Sequence, residues 1–370
     1  MWYFSAFVFF SSGYLLLPTL PLILQDRGAS TVEVGVVMGA FTLVAVLVRI
    51  PVGTMLAHGL PSRLLRGGQA MGAMGYLAFL AYPGIWPLLA GRILQGMGLG
   101  AFTTAAYVHL DDHGGPQRRG EFISLFGLTA NMAMAIAPAA GALLLLHAGH
   151  QGLFAAGLAL GVLGLLTVPR SPSTSTAAPR STGELAWDLR AWQPASSMLG
   201  LALAYGLTMV FVPIAMVEAG AGQSWYFYSV YAAVIMGTRI TTRRRLDRGR
   251  RQTWIIWGTA AIAVALLLLS SAGGPIMFTW AALFFGLGVG IGHPSLMAYA
   301  LEAARPSARG GATAMSTAAF DGGIAAGAIL GGWVTQQWSL SAAFLLVAVL
   351  MGVLLLPILR MPRPTPPSNS

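Results

Sequence analysis

Cysteine and lysine are both absent from the 370 residues. Without cysteine there is no disulfide, no thiolate chemistry and no cysteine-based metal site. Charge is scarce: 9% of the residues are Asp, Glu, Lys or Arg, against about 25% in soluble domains. In place of charge stands a 56% share of hydrophobic residues and a mean hydropathy of +0.71. A soluble domain of this length could not bury that much apolar sequence, so the composition predicts an all-α protein that crosses a membrane many times. The 47 glycines suit close helix packing in lipid. The net charge of +10 suits a nucleic-acid partner, but its distribution argues otherwise. The arginines cluster in alternate loops, as membrane topology requires.

Twelve stretches reach the roughly 20 apolar residues that one crossing needs. These spans are 1–24, 32–57, 67–86, 87–110, 122–146, 150–169, 196–218, 224–242, 253–271, 275–300, 311–334 and 340–359. The longest polar stretch, with Ser171-Pro172-Ser173-Thr174-Ser175-Thr176, lies between spans 6 and 7. The predicted organisation is a six-helix half over 1–169, a cytoplasmic linker over 170–195, a second six-helix half over 196–361 and a disordered Pro-rich tail over 362–370. Loops after the even-numbered spans hold nearly all the arginine, among them Arg63, Arg118, Arg243 and Arg305, whereas the opposite loops hold only Arg27. By the positive-inside rule both termini are cytoplasmic, and the protein belongs in the cell membrane.

The two halves repeat each other at an offset of 190 positions. Asp112, Pro116, Arg119 and Gly120 match Glu302, Pro306, Arg309 and Gly310. In the same register Arg49 falls on Arg239, Asn131 on Asp321, and Gly96, Gly98 and Gly100 on Gly286, Gly288 and Gly290. A long apolar module written twice points to a transporter whose site lies between the halves.

Several motifs resemble those of the major facilitator superfamily. Arg92-Ile93-Leu94-Gln95-Gly96-Met97-Gly98 in span 4 is similar to the family's Arg-x-x-Gln-Gly-x-Gly. Leu246-Asp247-Arg248-Gly249-Arg250-Arg251 after span 8 is similar to its Asp-Arg-x-Gly-Arg-Arg loop, one residue shorter. Gly323, Gly327, Ala328, Gly331 and Gly332 in span 11 come close to the glycine frame of the family's exporters, which span 5 carries as Ala133, Ala137, Pro138, Gly141 and Ala142. The first-half loop departs from the pattern, with Ala57 where the family places an acid. That acid latches the outward-open state in the family, so the latch role here is in doubt or passes to Asp247. The resemblance implies two pseudo-symmetric six-helix bundles that rock about a central cavity lined by spans 1, 4, 7 and 10 with help from 2, 5, 8 and 11. On that basis the cavity candidates are Tyr14, Gln95, Tyr107, Asn131, Tyr205, Tyr228, Tyr231, His293 and Tyr299. Trp225 and Tyr226 read as an interfacial aromatic belt.

Asp321 is the sharpest residue. Ten residues of helix from Gly311 rise about 15 Å, to the middle of a hydrocarbon core about 30 Å thick. A carboxylate there faces a cavity or a partner. The expected role is proton coupling, and the competing one is a structural hydrogen bond to a neighbouring helix, for example through Asn131. Arg92 is either a proton-relay or anion-binding group, as the motif implies, or a packing residue that snorkels to the interface. Arg49 and Arg239 read as matched structural residues at the gates, and Glu218 as a water-facing acid. Asp112, Arg119, Glu302 and Arg309 are expected to form a charge network that closes the cytoplasmic face and separates when it opens. His109 and His113 lack a third ligand and read as bystanders.

The expected activity is proton-coupled export of a small, amphipathic organic compound, with the lipid bilayer, the compound and protons as partners. Uptake or facilitated diffusion of a metabolite is the alternative on the same scaffold. A receptor or assembly subunit that does not transport is the alternative of another class. No nucleophile–base pair, phosphate loop or metal-ligand cluster stands out, so neither an enzyme nor a cofactor is expected, and the chain reads as a monomer without a nucleic-acid partner.

Overall fold

An apolar run in lipid has no water to satisfy its backbone, and a helix meets that need within one segment. The computed structural model describes residues 2–57, 61–81, 84–168, 192–248, 251–271, 273–305 and 309–359. Among these the regular structure is entirely helical: α1 Trp2–Tyr14, α2 Leu20–Asp26, α3 Thr31–Ala57, α4 Pro61–Ala81, α5 Ile85–Thr167, α6 Trp192–Glu218, α7 Trp225–Arg248, α8 Arg251–Ser270, α9 Pro275–Ala303, α10 Arg309–Gln337 and α11 Leu340–Leu359. The linker, the Pro-rich tail and the side chains of Asp112, His113, Arg119, Asp247 and Arg309 lie outside the described residues.

Two elements differ from the twelve spans read in the sequence. Span 1 is broken. Pro18 has no N–H and its ring crowds the carbonyl four residues back, so α1 stops at Tyr14 and α2 starts at Leu20. The break is bridged by tighter bonds, Leu16 N–H to the Gly13 carbonyl (3.4 Å) and Leu17 N–H to the Tyr14 carbonyl (3.2 Å). The Thr19 hydroxyl also donates to the Leu15 carbonyl at 2.8 Å.

Spans 4, 5 and 6, by contrast, share one helical run. The 83 residues of α5 would reach about 125 Å if straight, about four hydrocarbon thicknesses. The run instead doubles back. Gly91 near its start lies against Phe79 and Gly75 of α4, and Gly157 near its end lies against Tyr76 of the same helix. One reversal sits at Gly149, whose φ of 64° is free of a Cβ clash only in glycine.

The repeat is visible in the packing. A Cβ at Gly68 would stand 2.8 Å from the Gly98 carbonyl oxygen, and one at Gly258 would stand 3.1 Å from that of Gly288. Gly96 meets Phe41 and Val44, and Gly286 meets Tyr231 and Val234. Gly100 packs on Ala45, and Gly290 approaches Ile235. Each second member lies 190 positions after the first. Small residues let these helices touch backbone to backbone, which in lipid supplies the packing that water-driven burial cannot.

The halves meet along two seams. On one, α3 runs antiparallel to α10. The Thr31 hydroxyl donates to the Gly332 carbonyl at 3.0 Å, and the Val32 N–H faces Gln336 Oε1 at 3.4 Å. Further along, Gly35 lies on the Ala328 carbonyl, and a Cβ at Gly39 would stand 3.1 Å from the Ala325 carbonyl oxygen. On the other seam, α5 meets α7, and the Ser229 hydroxyl donates to the Ala135 carbonyl at 3.2 Å. Gly39–Ala325 and Ala135–Ser229 are the same contact in the 190-residue register.

Candidate functional site

Past Gly39, the α3–α10 seam changes from backbone packing to charge. Arg49 of α3 forms an ion pair with Asp321 of α10. Extending the register of the upper contacts would leave the two residues some two turns apart, about 10 Å along the axis. Helical side chains lean toward their own N-terminus. In an antiparallel pair the Arg49 side chain therefore reaches toward the Thr31 end and Asp321 reaches to meet it. The pair is neither dry nor solvated: 24% of the arginine side chain and 12% of the aspartate side chain are exposed. Of the two ion pairs between described side chains, it alone ties one half of the molecule to the other. The partner of Asp321 is thus Arg49, not Asn131, which is half-buried on the other seam. Arg49, read in the sequence as a matched gate residue, sits in the ion pair that joins the halves among the described side chains.

An aromatic wall adjoins the pair. Phe320 lies 4.6 Å, centroid to centroid, from His293 and 5.9 Å from Tyr205. Tyr205 and Tyr231 stand 6.1 Å apart with their hydroxyls within hydrogen-bond reach, and Phe285 closes the group at 5.7 Å from Tyr231. Tyr14 of the first half comes within electrostatic reach of Tyr205 and Tyr231. Four of the candidate cavity residues, Tyr14, Tyr205, Tyr231 and His293, therefore converge between the halves. Tyr107 lies near Arg49, with its ring 5.5 Å from Phe126, and is 49% exposed. Arg239 of α7 is exposed, and its charge reaches Tyr205, Tyr231 and His293.

Other candidates lie elsewhere. Tyr228 is fully buried within the second half, where its hydroxyl donates to the Met209 carbonyl at 2.8 Å. Tyr299 is half-buried beside Glu302 near the end of α9. Gln95 faces the interior of the first half and accepts a hydrogen bond from Arg92 Nη1 at 3.1 Å. Arg92 does not snorkel: it is 3% exposed and its guanidinium stacks 4.1 Å from the centre of the Phe41 ring. Its Nε, Gln95 Nε2 and both polar atoms of Gln69 have no hydrogen-bond partner. The buried Arg92–Gln95 pair is separate from the Arg49–Asp321 pair, and Gln69 lies apart from it against Gly164. In the predicted charge network, Glu302 bonds Arg251 at the start of α8 in its own half, where the sequence reading paired it with the neighbouring repeated loop.

Sequence reasoning missed Phe41 and Phe320, and named Arg251 only as the last residue of the motif loop after span 8. The signal for Phe320 was present, since it is the residue beside Asp321 and aromatic. Nothing in the motif marked Glu302 as the partner of Arg251, although the repeat places α8 against α9 as it places α4 against α5.

Two six-helix bundles related by an internal repeat, with a charged and aromatic cluster on the seam between them, are the architecture of a membrane transporter. The family model of the Major Facilitator Superfamily matches residues 2–316 and, in a second match, 195–370. The chain belongs to that superfamily. It is 22% identical to the staphylopine export protein of Staphylococcus aureus (strain Mu50 / ATCC 700699) over 99% of this chain and 97% of that protein. It is 26% identical to the inner membrane transport protein YajR of Escherichia coli (strain K12) over 92% and 78%. Among solved structures, the nucleoside transporter NupG aligns with a TM-score of 0.79 at 16% identity, covering 97% of both chains. The human organic anion transporter MFSD10 aligns with a TM-score of 0.70 at 16% identity, covering 96% of this chain and 97% of that one. The protein is a multi-pass membrane transporter, not an enzyme.

Proposed function

We propose that this transporter exports a small organic compound across the cytoplasmic membrane in exchange for protons, with Asp321 as the carboxylate that takes up and releases the proton. The observation that carries this reading is the ion pair between Asp321 and Arg49 across the α3–α10 seam. A carboxylate in that position holds two moving bodies together only while it is ionised. Protonation removes the charge, leaves Arg49 without its partner and frees the seam to rearrange. Loss of the proton restores the bond. One titrating group thereby biases two arrangements of the halves, which is what coupled alternating access requires.

With the arginine-rich loops and both termini on the cytoplasmic side, the Thr31–Gln336 end faces outward. The tight contacts of Gly35 and Gly39 then close the outer side in the described arrangement. Residues 1–169 and 196–361 act as the two rocking bodies and 170–195 as their link. Export is supported by the glycine frame of α10 and by the export protein among the sequence relatives.

Proteoliposomes carrying wild type or Asp321→Asn test the reading. They are given a pH gradient and a pooled panel of organic acids, amphipathic cations and neutral compounds. Substrate-triggered proton movement in wild type, reduced at least about tenfold in the variant, is the expected result; a tenfold change corresponds to about 1.4 kcal/mol. Substrate movement without protons in both proteins would replace coupled export with facilitated diffusion and leave Asp321 a structural residue.

A further inference from the structure

The two seams are built on one register but differ in charge. On the α3–α10 seam Gly39 packs on Ala325, and beyond it Arg49 binds Asp321. Moving each residue by 190 positions gives the α5–α7 seam: Ser229 on Ala135, and beyond it Arg239 with Asn131. Arg239 therefore occupies the place of Arg49, while a neutral amide stands where the balancing carboxylate would be. The described structure agrees. Arg239 is exposed and, among the described residues, joins no ion pair or hydrogen bond and has Tyr205, Tyr231 and His293 within its electrostatic reach. It lies 14 residues along α7 from Trp225, a rise of about 21 Å, still within a hydrocarbon core about 30 Å thick. A guanidinium at such depth keeps its charge and calls for a counter-ion.

We infer that the counter-ion is supplied by the substrate: the transported compound bears a carboxylate, which Arg239 holds beside the aromatic wall of Tyr205, Tyr231, His293 and Phe320. This rests on the transporter reading above and names the substrate class for the same cavity. The charge balance favours it. With Asp321 ionised, Arg49, Arg239 and Asp321 leave one uncompensated positive charge, which a single carboxylate neutralises without breaking the Arg49–Asp321 bond. The planar guanidinium suits a carboxylate through two parallel N–H donors, and the Asn131 amide on the facing helix adds a donor type that a carboxylate there would lack. The apolar part of such a compound would lie on the rings.

The test is ligand-induced thermal stabilisation of the full-length protein in detergent. The panel runs from acetate through hexanoate and benzoate to 2-naphthoate, with the matched methyl esters and ammonium compounds. Acids are expected to stabilise the wild type and their esters are not. Arg239→Gln should weaken acid binding about 10- to 100-fold, the loss of a charge-assisted hydrogen-bond pair. Asn131→Asp supplies Arg239 with an internal counter-ion, so it should weaken acid binding and raise the unfolding temperature without ligand. Esters that bind as well as acids, acid binding that survives Arg239→Gln, or no response to any acid of the panel would overturn the assignment. Acid binding through Arg239 combined with proton movement that ignores Asp321→Asn would sink the coupled-export reading and leave this one standing. Coupled transport of a compound without a carboxylate would do the reverse.

Discussion

The α3–α10 and α5–α7 seams solve the same packing problem with the same backbone and then part company. Both bring two helices together at small residues, Gly39 on Ala325 and Ala135 under Ser229. Below that contact one seam holds a closed ion pair, and at the equivalent register positions the other carries Arg239 and Asn131. The scaffold of the repeat was kept because helices in lipid approach only through small residues. The charges diverged instead, because the register position that holds Asp321 on α10 holds Asn131 on α5. A duplicated module thus acquires one side that binds itself and one side left with charge to offer.

The contrast can be tested by substitutions that treat equivalent positions differently. Arg49→Gln leaves Asp321 partly buried without its partner and should destabilise the fold by about 3–5 kcal/mol, read as a lower unfolding temperature in detergent. Adding Asp321→Asn to it should recover most of that loss, because two neutral groups replace one stranded charge. If the single variant unfolds like wild type, the ion pair contributes nothing and the two seams are electrostatically equal.

Gly35→Leu should cost about 1–3 kcal/mol by overpacking, since even a Cβ at Gly35 meets the Ala328 carbonyl. It should also open the Thr31 end. The absence of native cysteine makes this direct to measure. Thr31→Cys and Gln336→Cys should crosslink in an otherwise unchanged protein and lose most of that crosslink once Gly35→Leu is added. Ser229→Ala removes one hydrogen bond from the other seam and should cost about 1 kcal/mol. Arg239→Gln should change the stability of the ligand-free protein least, by no more than about 0.5 kcal/mol, because no described partner is lost. A large loss there would show that Arg239 is structural and would remove the difference between the seams.

Much of the fold was legible in the residues. The twelve apolar stretches, the reversal near Gly149 and the 190-residue register all rest on local or periodic signals. Span 1 was misread as continuous because Pro18 lies inside an otherwise apolar run, and hydropathy does not register a missing N–H. The site was legible in part. Asp321 stood out as an acid at mid-membrane depth, and Tyr14, Tyr205, Tyr231 and His293 were named from span identity. Arg49 was undervalued, since nothing near it in the chain indicates a partner 272 positions away. Arg92 stood out as a charged motif residue, but its ring contact with Phe41 depends on how α3 crosses α5.

Composition and the repeat alone determine that this chain is a doubled, twelve-span membrane protein. Hydrophobic length and internal similarity are properties of the chain and need no knowledge of what touches what. Which arginine is satisfied and which is left open was decided only by the tertiary structure. Arg49 and Arg239 are equivalent in the sequence register. They become different when α3 sets one against a carboxylate of α10, while α7 leaves the other exposed and in no ion pair among the described residues.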